Sequence, residues 1–502
     1  MSKQPNIIYM MTDDQRYDAM GFMGNKQVHT PNLDTLAADG VRFDHAFHVA
    51  PICMPSRATV QIGKYVTQHQ CGFDLPTNYT ITNAEYQNSY PVMMRKAGYY
   101  TGFIGKFGFP VTEDKVHNVT RVLNTDSSAD DPYYKNINHL DTLQSSLPKA
   151  EFDVWNGFAV HGDYRASKDG LMNGYENPWG CDHMTDHMTK QAEAFLEGAK
   201  EREQPFVLSI SFKAPHRPFD PQARWAEFYK DMVIDRMEND APEYFEKLPE
   251  VVRTHSRNAG EYFGSERMRK ESPWLPWKEE ENFQRDFKNY YALISGVDEA
   301  VGHVREKLKE LNLDDNTIIF YTADNGYFCG SKQLGGKELL YEESIKAPMI
   351  VYDPRMDFDK QNKWIHGMIS HVDICPTILD YAGLEKTPEM FGQSFAPLVD
   401  GRELEINDAV YGENDFNNSY ASVEEHPHPE KYQSIHSKYV RTKKYKYIRY
   451  HLCRPVIEEM WDIANDPLET NNLVSNEAYA EELNKLRGMM DAFIEKTSNH
   501  IH

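Results

Sequence analysis

NIIYMMTDD, residues 6–14, is a short apolar run that ends in two carboxylates, Asp13 and Asp14. A run of this length is typical of a strand buried on both faces, whose carboxyl end carries polar groups into a crevice. The sequence predicts several such strands, with polar side chains gathered where they end. The other examples are YYTGFIGK ending at Lys106, PFVLSISFKAPH ending with Lys213 and His216, and NTIIFYTADN ending at Asp324 and Asn325.

Helical segments alternate with these strands along the chain. TPNLDTLAADG, residues 30–40, places Leu33, Leu36 and Ala37 at helical spacing between a proline start and a glycine stop. Residues 289–313 have the pattern of one long amphipathic helix. The alternation predicts an α/β fold with a large, mostly parallel but mixed sheet sandwiched by helices. In such sheets, ligands bind at the carboxyl ends of the strands.

The 502 residues exceed what one hydrophobic core usually organises. After about residue 405, KYVRTKKYKYIRYHL and EMWDIAND alternate like antiparallel strands, and LNKLRGMMDAFIEK has the pattern of a last helix. We therefore predict a large domain that carries the site over residues 1–404, and a smaller domain of antiparallel sheet plus helix over 405–502. The irregular, aromatic segments at about 110–190 and 214–280 are predicted to be surface insertions that shape access to the site.

Composition and charge exclude several classes of protein. The net charge of -23 argues against nucleic-acid binding, and no apolar run reaches the roughly 20 residues that a membrane span needs. The 6 cysteines are scattered without CxxC pairs or zinc-like spacing, which is typical of reduced thiols.

The start MSKQPNIIYMMTDD has no secretory apolar region. This predicts a cytoplasmic protein, or a periplasmic or secreted one if a leader has been removed.

Two of the strand ends carry paired oxygen ligands, Asp13 with Asp14 and Asp324 with Asn325. Carboxylate and amide oxygens suit a hard cation such as calcium or magnesium, and not zinc. Each pair taken alone is more typical of a turn or a helix cap, since Asp-Asn-Gly is a common turn sequence. Their joint placement at strand ends favours a metal site.

Cys53 lies in PICMPSR, residues 51–57, with Ser56 and Arg57 directly downstream. Most unpaired cysteines pack as small hydrophobic side chains, and that interpretation stays open here. The polar neighbours suit a dry core poorly, which favours a functional group. A nucleophilic thiol is a further interpretation, because an adjacent guanidinium would lower its pKa, although no partner histidine is evident in the local sequence.

The segment CMPSRATVQIGKY resembles the C-x-P-x-R signature of the type I sulfatases of the alkaline-phosphatase-like superfamily, with Cys53, Pro55 and Arg57 at its fixed positions. The resemblance spans nearly the whole chain in family order. It continues through NIIYMMTDDQR, TPNLDTLAADGVRF, AGYYTGFIGKF, FKAPHRPF, DDNTIIFYTADNG, GGKELLYEESIKAP, HVDICPTILDYAG and MWDIANDPLETNNLV.

This resemblance implies a modified cysteine and a bound metal. A formylglycine-generating maturation enzyme would oxidise Cys53 to an aldehyde, whose hydrate attacks sulfur and then expels sulfate through its second hydroxyl. The resemblance also implies a divalent ion, calcium in preference to magnesium or manganese. Its implied ligands are Asp13, Asp14, Asp324, Asn325 and the modified Cys53.

The resemblance further implies roles for basic side chains. Arg57 would hold the hydrate, and Lys106 and Lys337 would bind sulfate oxygens. His216 would donate a proton to the leaving oxygen, and Lys213 is expected to line the same pocket. Without the resemblance, lysines are more often solvated charges and a single histidine is more often structural.

One position departs from the family pattern. Many sulfatases carry a histidine two residues after the motif lysine, where it assists the second hydroxyl of the hydrate. Here that position is Gly108. We expect either another histidine or a different arrangement of side chains to take this role. His69 of YVTQHQ is the candidate histidine and would then contact substrate.

The function that these residues predict is hydrolysis of a sulfate ester on a carbohydrate, as in the degradation of sulfated polysaccharides. The acidic chain would repel a long sulfated polymer, which favours oligosaccharides or chain ends as substrates. Two alternatives remain: a phosphonate monoester or phosphodiester hydrolase of the same superfamily, and a non-catalytic binder of sulfated glycans. The sugar, the sulfated carbon, exo or endo action and the oligomeric state stay open.

Overall fold

The computed structural model describes residues 4–73, 77–116, 146–264, 276–416 and 433–498. Its strands form one large sheet, one four-stranded sheet and two short pairs. The strands are β1 Asn6–Asp13, β2 Val41–Phe43, β3 Ala46–Phe47, β4 Ile81–Thr82, β5 Tyr100–Lys106, β6 Val111–Thr112, β7 Val154–Phe158, β8 Phe206–Pro215, β9 Thr317–Ala323, β10 Met349–Tyr352, β11 Lys363–Ile365, β12 Ile369–Ser370, β13 Ala409–Asn414, β14 Ser437–Thr442, β15 Tyr445–Tyr450 and β16 Ile457–Asp462.

Helices fill most of the connections between these strands. The predicted helix at residues 30–40 is confirmed: it starts at Pro31, ends before Gly40 and buries Leu33, Leu36 and Ala37. The helices are α1 Pro31–Asp39, α2 Cys53–Ile62, α3 Val66–His69, α4 Asn83–Tyr86, α5 Tyr90–Lys96, α6 Met184–Lys200, α7 Ala223–Tyr229, α8 Pro242–Glu246, α9 Glu250–His255, α10 Arg257–Phe263, α11 Glu280–Glu310, α12 Glu342–Ile345, α13 Ile374–Tyr381, α14 Ala396–Val399 and α15 Ala480–Ser498.

The large sheet has eight strands in the order β11-β2-β10-β9-β1-β8-β5-β7. From β9 to β7 all neighbours are parallel, whereas β10 runs antiparallel to both β9 and β2. The predicted fold class, a mostly parallel but mixed sheet with helices on both faces, is confirmed. Because β9, β1, β8 and β5 are parallel neighbours, their carboxyl ends meet at the same edge of the sheet.

Strand β1 shows how the sheet is buried on both faces. Alternate side chains of a strand point to opposite faces. Ile8 and Met10 join the hydrophobic cluster that contains side chains of α6 and α11, while Ile7 and Tyr9 join the cluster with side chains of α5 and α13. Full burial of each such side chain is worth roughly 1.5–3 kcal/mol, so the unbroken apolar run fits a central strand covered on both faces.

The C-terminal part forms the predicted antiparallel sheet, in the order β13-β14-β15-β16, covered by α15. Leu486 and Met490 of α15 pack against Val440 and Tyr447. Another cluster joins side chains on both sides of residue 405, including Phe47 and Tyr341 with Tyr439 and Trp461. The division into domains at 404/405 therefore stays a prediction, because the two parts share an apolar core.

The predicted insertions differ in part from expectation. The segment at 214–280 is not merely irregular, since it contains the short helices α7 to α10. The long helix predicted from Asn289 begins earlier, at Glu280. Residues 117–145 of the other insertion lie outside the described residues. Within the described ranges, no helix is both long and apolar enough to cross a membrane.

Candidate active site

Cys53 is the first residue of α2. Its thiol donates to Asp13 Oδ1 at 3.2 Å, and Lys337 Nζ donates to the sulfur at 2.9 Å. Pro55 suits this first turn because the N–H groups there have no partner within the helix. Burial, and then the charge of Asp13, raise the pKa of the Cys53 thiol to about 12. The unmodified thiol is therefore protonated at neutral pH and is a poor nucleophile.

Arg57 lies one turn further along α2 and is fully buried. Its Nε and Nη2 atoms both lie 2.8 Å from Asp324 Oδ2. Its Nη1 atom donates to the carbonyl of Lys106 at 2.8 Å and to Ser211 Oγ. A buried guanidinium needs such partners to offset its desolvation. Arg57 thus ties α2 to the carboxyl ends of β9, β5 and β8.

The paired oxygen ligands meet because β1 and β9 are parallel neighbours. The backbone N–H of Asp14 donates to Asp324 Oδ1 at 3.2 Å, and Asn325 Nδ2 donates to Asp14 Oδ1 at 2.8 Å. Asn325 Oδ1 is buried and accepts no hydrogen bond from the described residues. An orphaned acceptor beside carboxylates fits a bound cation. Ligand atoms of Asp13, Asp14, Cys53 and His216 lie within 4.8 Å of one another.

Two buried lysines pair with these carboxylates. Lys106 Nζ lies 2.5 Å from Asp13 Oδ2, and Lys337 Nζ contacts Asp14 Oδ1. Lysines are almost never fully buried unless they are paired. With Arg57 on the third carboxylate, the formal charges of three acids and three bases cancel. Any additional cation would therefore make this cluster positive overall.

The surrounding charges and burial shift the pKa values of two of these carboxyl groups in opposite directions. Burial would raise the pKa of the Asp13 carboxyl, but the charges of Lys106, Arg57 and Lys337 hold it well below its usual range. For Asp324, burial and the charge of Asp13 raise the pKa to about 6, against the effect of Arg57. A cation bound among these oxygens would favour the ionised form of every carboxyl group.

Two stacked histidines lie on the more exposed side of the cluster. The ring centroids of His161 and His216 are 4.1 Å apart. His216 Nε2 lies 3.7 Å from Asp14 Oδ2, while its Nδ1 lies 2.6 Å from the Arg217 carbonyl oxygen. His161 Nδ1 lies 3.0 Å from Lys106 Nζ. Burial lowers the pKa of both rings, that of His216 to about 4, so both are neutral at neutral pH.

Comparisons with known proteins agree with this geometry. A family model described as sulfatase matches residues 5–384. The chain belongs to the sulfatase family. A second model, described as the C-terminal part of N-sulphoglucosamine sulphohydrolase, matches residues 330–496. The resemblance to the type I sulfatases of the alkaline-phosphatase-like superfamily is confirmed, and the protein is a sulfuric ester hydrolase.

The relatives of this sulfatase include carbohydrate enzymes. The chain is 26% identical to an N-acetylglucosamine-6-O-sulfatase of Bacteroides thetaiotaomicron, over 98% of this chain and 86% of the relative. A solved structure of a protein in complex with its substrate D-glucosamine-2-N,6-O-disulfate has a TM-score of 0.74, 24% identity and 99% coverage of both chains. A phosphonate monoester hydrolase from Silicibacter pomeroyi has a TM-score of 0.72 and 20% identity, over 98% of this chain and 96% of the other. At these identities, the two structural likenesses show the fold alone.

The structure brings most of the predicted site residues of this sulfatase into one cluster. It also adds His161, which the sequence analysis missed. The signal was available, because His161 closely follows β7 in the stretch VWNGFAVHG. The predicted residues that meet in the cluster are Asp13, Asp14, Cys53, Arg57, Lys106, His216, Asp324, Asn325 and Lys337.

The prediction that His69 contacts substrate is corrected by the structure. His69 is 1% exposed, and its Nε2 lies 3.1 Å from Thr59 Oγ1, two turns along α2 from Cys53. Its Nδ1 accepts from the backbone N–H of Cys71 at 2.9 Å. Both ring nitrogens are therefore occupied, Nε2 by Thr59 of α2 and Nδ1 by the backbone of Cys71 after α3. The histidine beside Lys106 is His161 instead.

Lys213, predicted to line the substrate pocket, occupies a supporting position. Its Nζ atom donates to the carbonyl of Gly162 at 2.6 Å and lies 4.5 Å above the ring of Tyr164. The side chain is almost completely buried. Lys213 thus holds the loop that carries His161.

Gly108 is a glycine for a steric reason. Its φ of +90° lies in the left-handed region, and an added Cβ atom would lie 2.5 Å from Arg57 Cδ. No side chain, and hence no histidine, fits this position without displacing Arg57. A histidine at this position would therefore require a different backbone conformation or a different placement of Arg57.

Gly108→Ala is expected to lower kcat about 100-fold, because displacement of Arg57 moves the groups that it positions. The matched control is Gly98→Ala, since Gly98 has a similar φ of +94° but no atom within 4 Å of an added Cβ. Both variants should lose stability from backbone strain, measured by thermal unfolding. Only Gly108→Ala should lose kcat, and equal kcat values for the two variants would contradict the steric explanation.

Proposed function

We propose that this sulfatase hydrolyses the sulfate ester of a sulfated saccharide at the cluster around Cys53. The observation that carries the proposal is the meeting of a cysteine at a helix start, oxygen ligands for a cation and paired lysines for an anion. A saccharide substrate is supported by the relative named as an N-acetylglucosamine-6-O-sulfatase. The likeness to a protein that binds glucosamine disulfate is consistent with it.

The proposal includes a calcium ion held by Asp13, Asp14, Asp324 and Asn325, with the modified Cys53 completing the ligand set. All four side chains offer oxygen atoms, the donor type that calcium prefers, and the orphaned Asn325 Oδ1 supports the assignment. Bound there, the ion would withdraw negative charge from sulfate oxygens. It would also make the cluster positive, which an anionic substrate requires in a chain of net charge -23.

Conversion of Cys53 to formylglycine by a maturation enzyme belongs to the same proposal. The hydrated aldehyde would supply one hydroxyl as nucleophile and a second hydroxyl that releases sulfate. The thiol itself is unsuited to nucleophilic attack, because its pKa is raised to about 12. Its place at the start of α2, beside Lys337, supports a role in which the side chain meets an anion.

The basic side chains then have distinct roles. In the ion-free cluster, Lys106 and Lys337 pair with carboxylates, and a calcium ion on those carboxylates would leave both ammonium groups to bind sulfate oxygens. Arg57 holds Asp324 and the start of α2 in place. His216 donates to the Arg217 carbonyl through Nδ1, so Nε2 is the ring atom on the side of Asp14. It would give a proton to the leaving oxygen only from the protonated ring.

We further propose that the substrates are oligosaccharides or chain ends. A net charge of -23 repels a long sulfated polymer at a distance, and salt screens this repulsion. Turnover of short substrates is therefore expected to exceed that of intact polymer at low salt. Added salt should narrow the difference.

The test begins with protein coexpressed with a maturation enzyme. The peptide spanning residues 51–57 is expected to show the mass change from cysteine to formylglycine, and the protein should release sulfate from defined mono- and disaccharide sulfates. Each saccharide is compared with its parent polymer across a salt series. The same chain made without the maturation enzyme is the control and should release no sulfate.

Three results would contradict the proposal in different ways. Fully converted protein that releases no sulfate from the saccharide panel would exclude the substrate class. Faster cleavage of a phosphonate or phosphodiester than of a sulfate ester with the same aryl leaving group would assign the site to phosphoryl chemistry. Tight binding of sulfated glycans without turnover would indicate a binding protein.

A further inference from the structure

His161 is brought to the site by the pairing of β7 with β5. The two strands are parallel, with Lys106 opposite Phe158. The pairing continues beyond their ends, because the backbone N–H of Phe107 donates to the Phe158 carbonyl at 2.9 Å and that of Gly108 donates to the Ala159 carbonyl at 3.2 Å. The segment after β7 therefore runs beside the segment after Lys106, and His161 lies next to the Lys106 ammonium.

The contact with Lys106 determines which nitrogen of His161 carries the proton. A lysine ammonium has three donors and no acceptor. His161 Nδ1, 3.0 Å from Lys106 Nζ, must therefore accept, and the ring proton lies on Nε2. Among the described residues, no acceptor bonds this Nε2–H group. The side chain of His161 is 25% exposed, against 2% for Lys106, so the donor lies on the solvent side of the cluster.

The loop holds the ring of His161 in a defined orientation. Lys213 Nζ donates to the Gly162 carbonyl at 2.6 Å, directly after His161. The Tyr164 hydroxyl donates to the His216 backbone carbonyl at 2.6 Å, so the same loop also holds the backbone that carries the partner ring. The two imidazole rings stack at 4.1 Å with an interplanar angle of 26°. Such support from surrounding contacts is typical of a preorganised donor.

The two rings offer complementary groups. The Nδ1 atom of His216 lies 2.6 Å from a carbonyl oxygen and therefore donates, which in the neutral ring leaves an acceptor at Nε2. His161 has the opposite arrangement. Its Nδ1 accepts from Lys106, and its Nε2 is the donor, on the solvent side. His161 thus contributes an N–H group that the neutral His216 does not.

We propose that His161 is a catalytic residue that donates its Nε2–H to an oxygen of the bound sulfate ester. This inference rests on the proposed function of the cluster. The proton stays on Nε2, and the hydrogen bond strengthens as negative charge develops on that oxygen. The contact with Lys106 serves to fix the tautomer.

Two amide substitutions separate donation to substrate from support of Lys106. The amide of asparagine overlies the Nδ1 position of histidine, so His161→Asn keeps an acceptor for Lys106 and loses the outer donor. The longer His161→Gln places its amide near the Nε2 position, keeping the donor and losing the acceptor. We expect kcat to fall about 100-fold in His161→Asn, the typical loss for one transition-state donor, and less than about tenfold in His161→Gln.

A second measurement does not depend on turnover. Binding of inorganic sulfate to the calcium-loaded, unconverted protein is expected to weaken about tenfold in His161→Asn and to stay near the wild-type value in His161→Gln. The control is His303→Asn, which replaces an exposed histidine on α11 and should change neither quantity. Thermal unfolding of each variant shows whether the fold is retained.

The outcomes are distinct. A larger loss in His161→Gln than in His161→Asn, or equal losses, would overturn the inference in favour of mere support of Lys106. Wild-type activity in both variants would overturn any catalytic role. If the wild-type protein is converted but releases no sulfate from any substrate, the proposed function fails, and the sulfate-binding order of the two variants still decides whether His161 donates to the anion.

Discussion

Replacement of Cys53 by serine is expected to lower kcat by about four orders of magnitude or more, as loss of a catalytic nucleophile typically does. The introduced hydroxyl would lie at the same helix start, within reach of Lys337. It could attack sulfur once. However, a serine has no second hydroxyl to expel sulfate, so the sulfo group would remain bound to the serine oxygen. We expect at most one alcohol leaving group released per protein molecule, and a peptide spanning residues 51–57 whose mass is raised by one SO3 unit, because the serine oxygen replaces the ester oxygen on sulfur.

Two controls make this result specific. Cys53→Ala should be equally inactive but should retain no sulfate, since it offers no nucleophile. Cys181→Ser replaces a cysteine that is partly exposed and should keep full activity. Sustained turnover by Cys53→Ser, beyond one equivalent of product, would place the nucleophile elsewhere and would contradict the proposed role of Cys53.

The unconverted wild-type protein provides a related comparison. Burial and Asp13 raise the pKa of the Cys53 thiol to about 12, so very little thiolate is present near neutral pH. If the thiol itself were the nucleophile, this protein would be active without maturation. The local electrostatics therefore explain why the encoded thiol is itself unsuited to the reaction.

Much of the site could be predicted because the sequence pattern, an apolar run followed by polar residues, shows where each buried strand ends. The apolar run before Asp13 and the one before Asp324 each predict a buried strand, and parallel strands gather their carboxyl ends. The exact contacts could not be predicted, because they depend on strand order. Only the pairing of β1 with β9 brings the Asp14 N–H to Asp324 Oδ1.

The missed and misplaced histidines show where local sequence is insufficient. His69 lies near Cys53 along the chain, but α2 and α3 place it two turns of α2 away, on Thr59. His161 lies far from Lys106 in sequence, and the pairing of β7 with β5 makes them neighbours. The close approach of Arg57 to Gly108 could not be predicted from the sequence either, because it depends on the path of α2 past the end of β5.

The charge balance of the cluster leads to a prediction about metal removal. Without a cation, the three carboxylates and three basic side chains cancel, so inorganic sulfate should bind weakly. Bound calcium would add two positive charges and would leave the lysine ammonium groups to contact the anion. We expect calcium alone to raise the unfolding temperature by a few degrees, corresponding to about 2.7 kcal/mol at 100 times its Kd. Sulfate should add to this shift only when calcium is present.

Asp14→Asn is expected to abolish both the calcium shift and the dependence of sulfate binding on calcium, and to lower kcat/KM at least about 100-fold. The substitution removes a charge from the ligand set while keeping an oxygen for Lys337 and Asn325. The control Asp315→Asn removes an exposed aspartate carboxylate instead. It should leave the calcium shift, the calcium dependence of sulfate binding and kcat/KM unchanged. Because coupling between two ligands is reciprocal, sulfate must also tighten calcium binding in the wild type. Equal sulfate affinity with and without calcium would show that the anion is held elsewhere, since cancelled charges cannot attract it here.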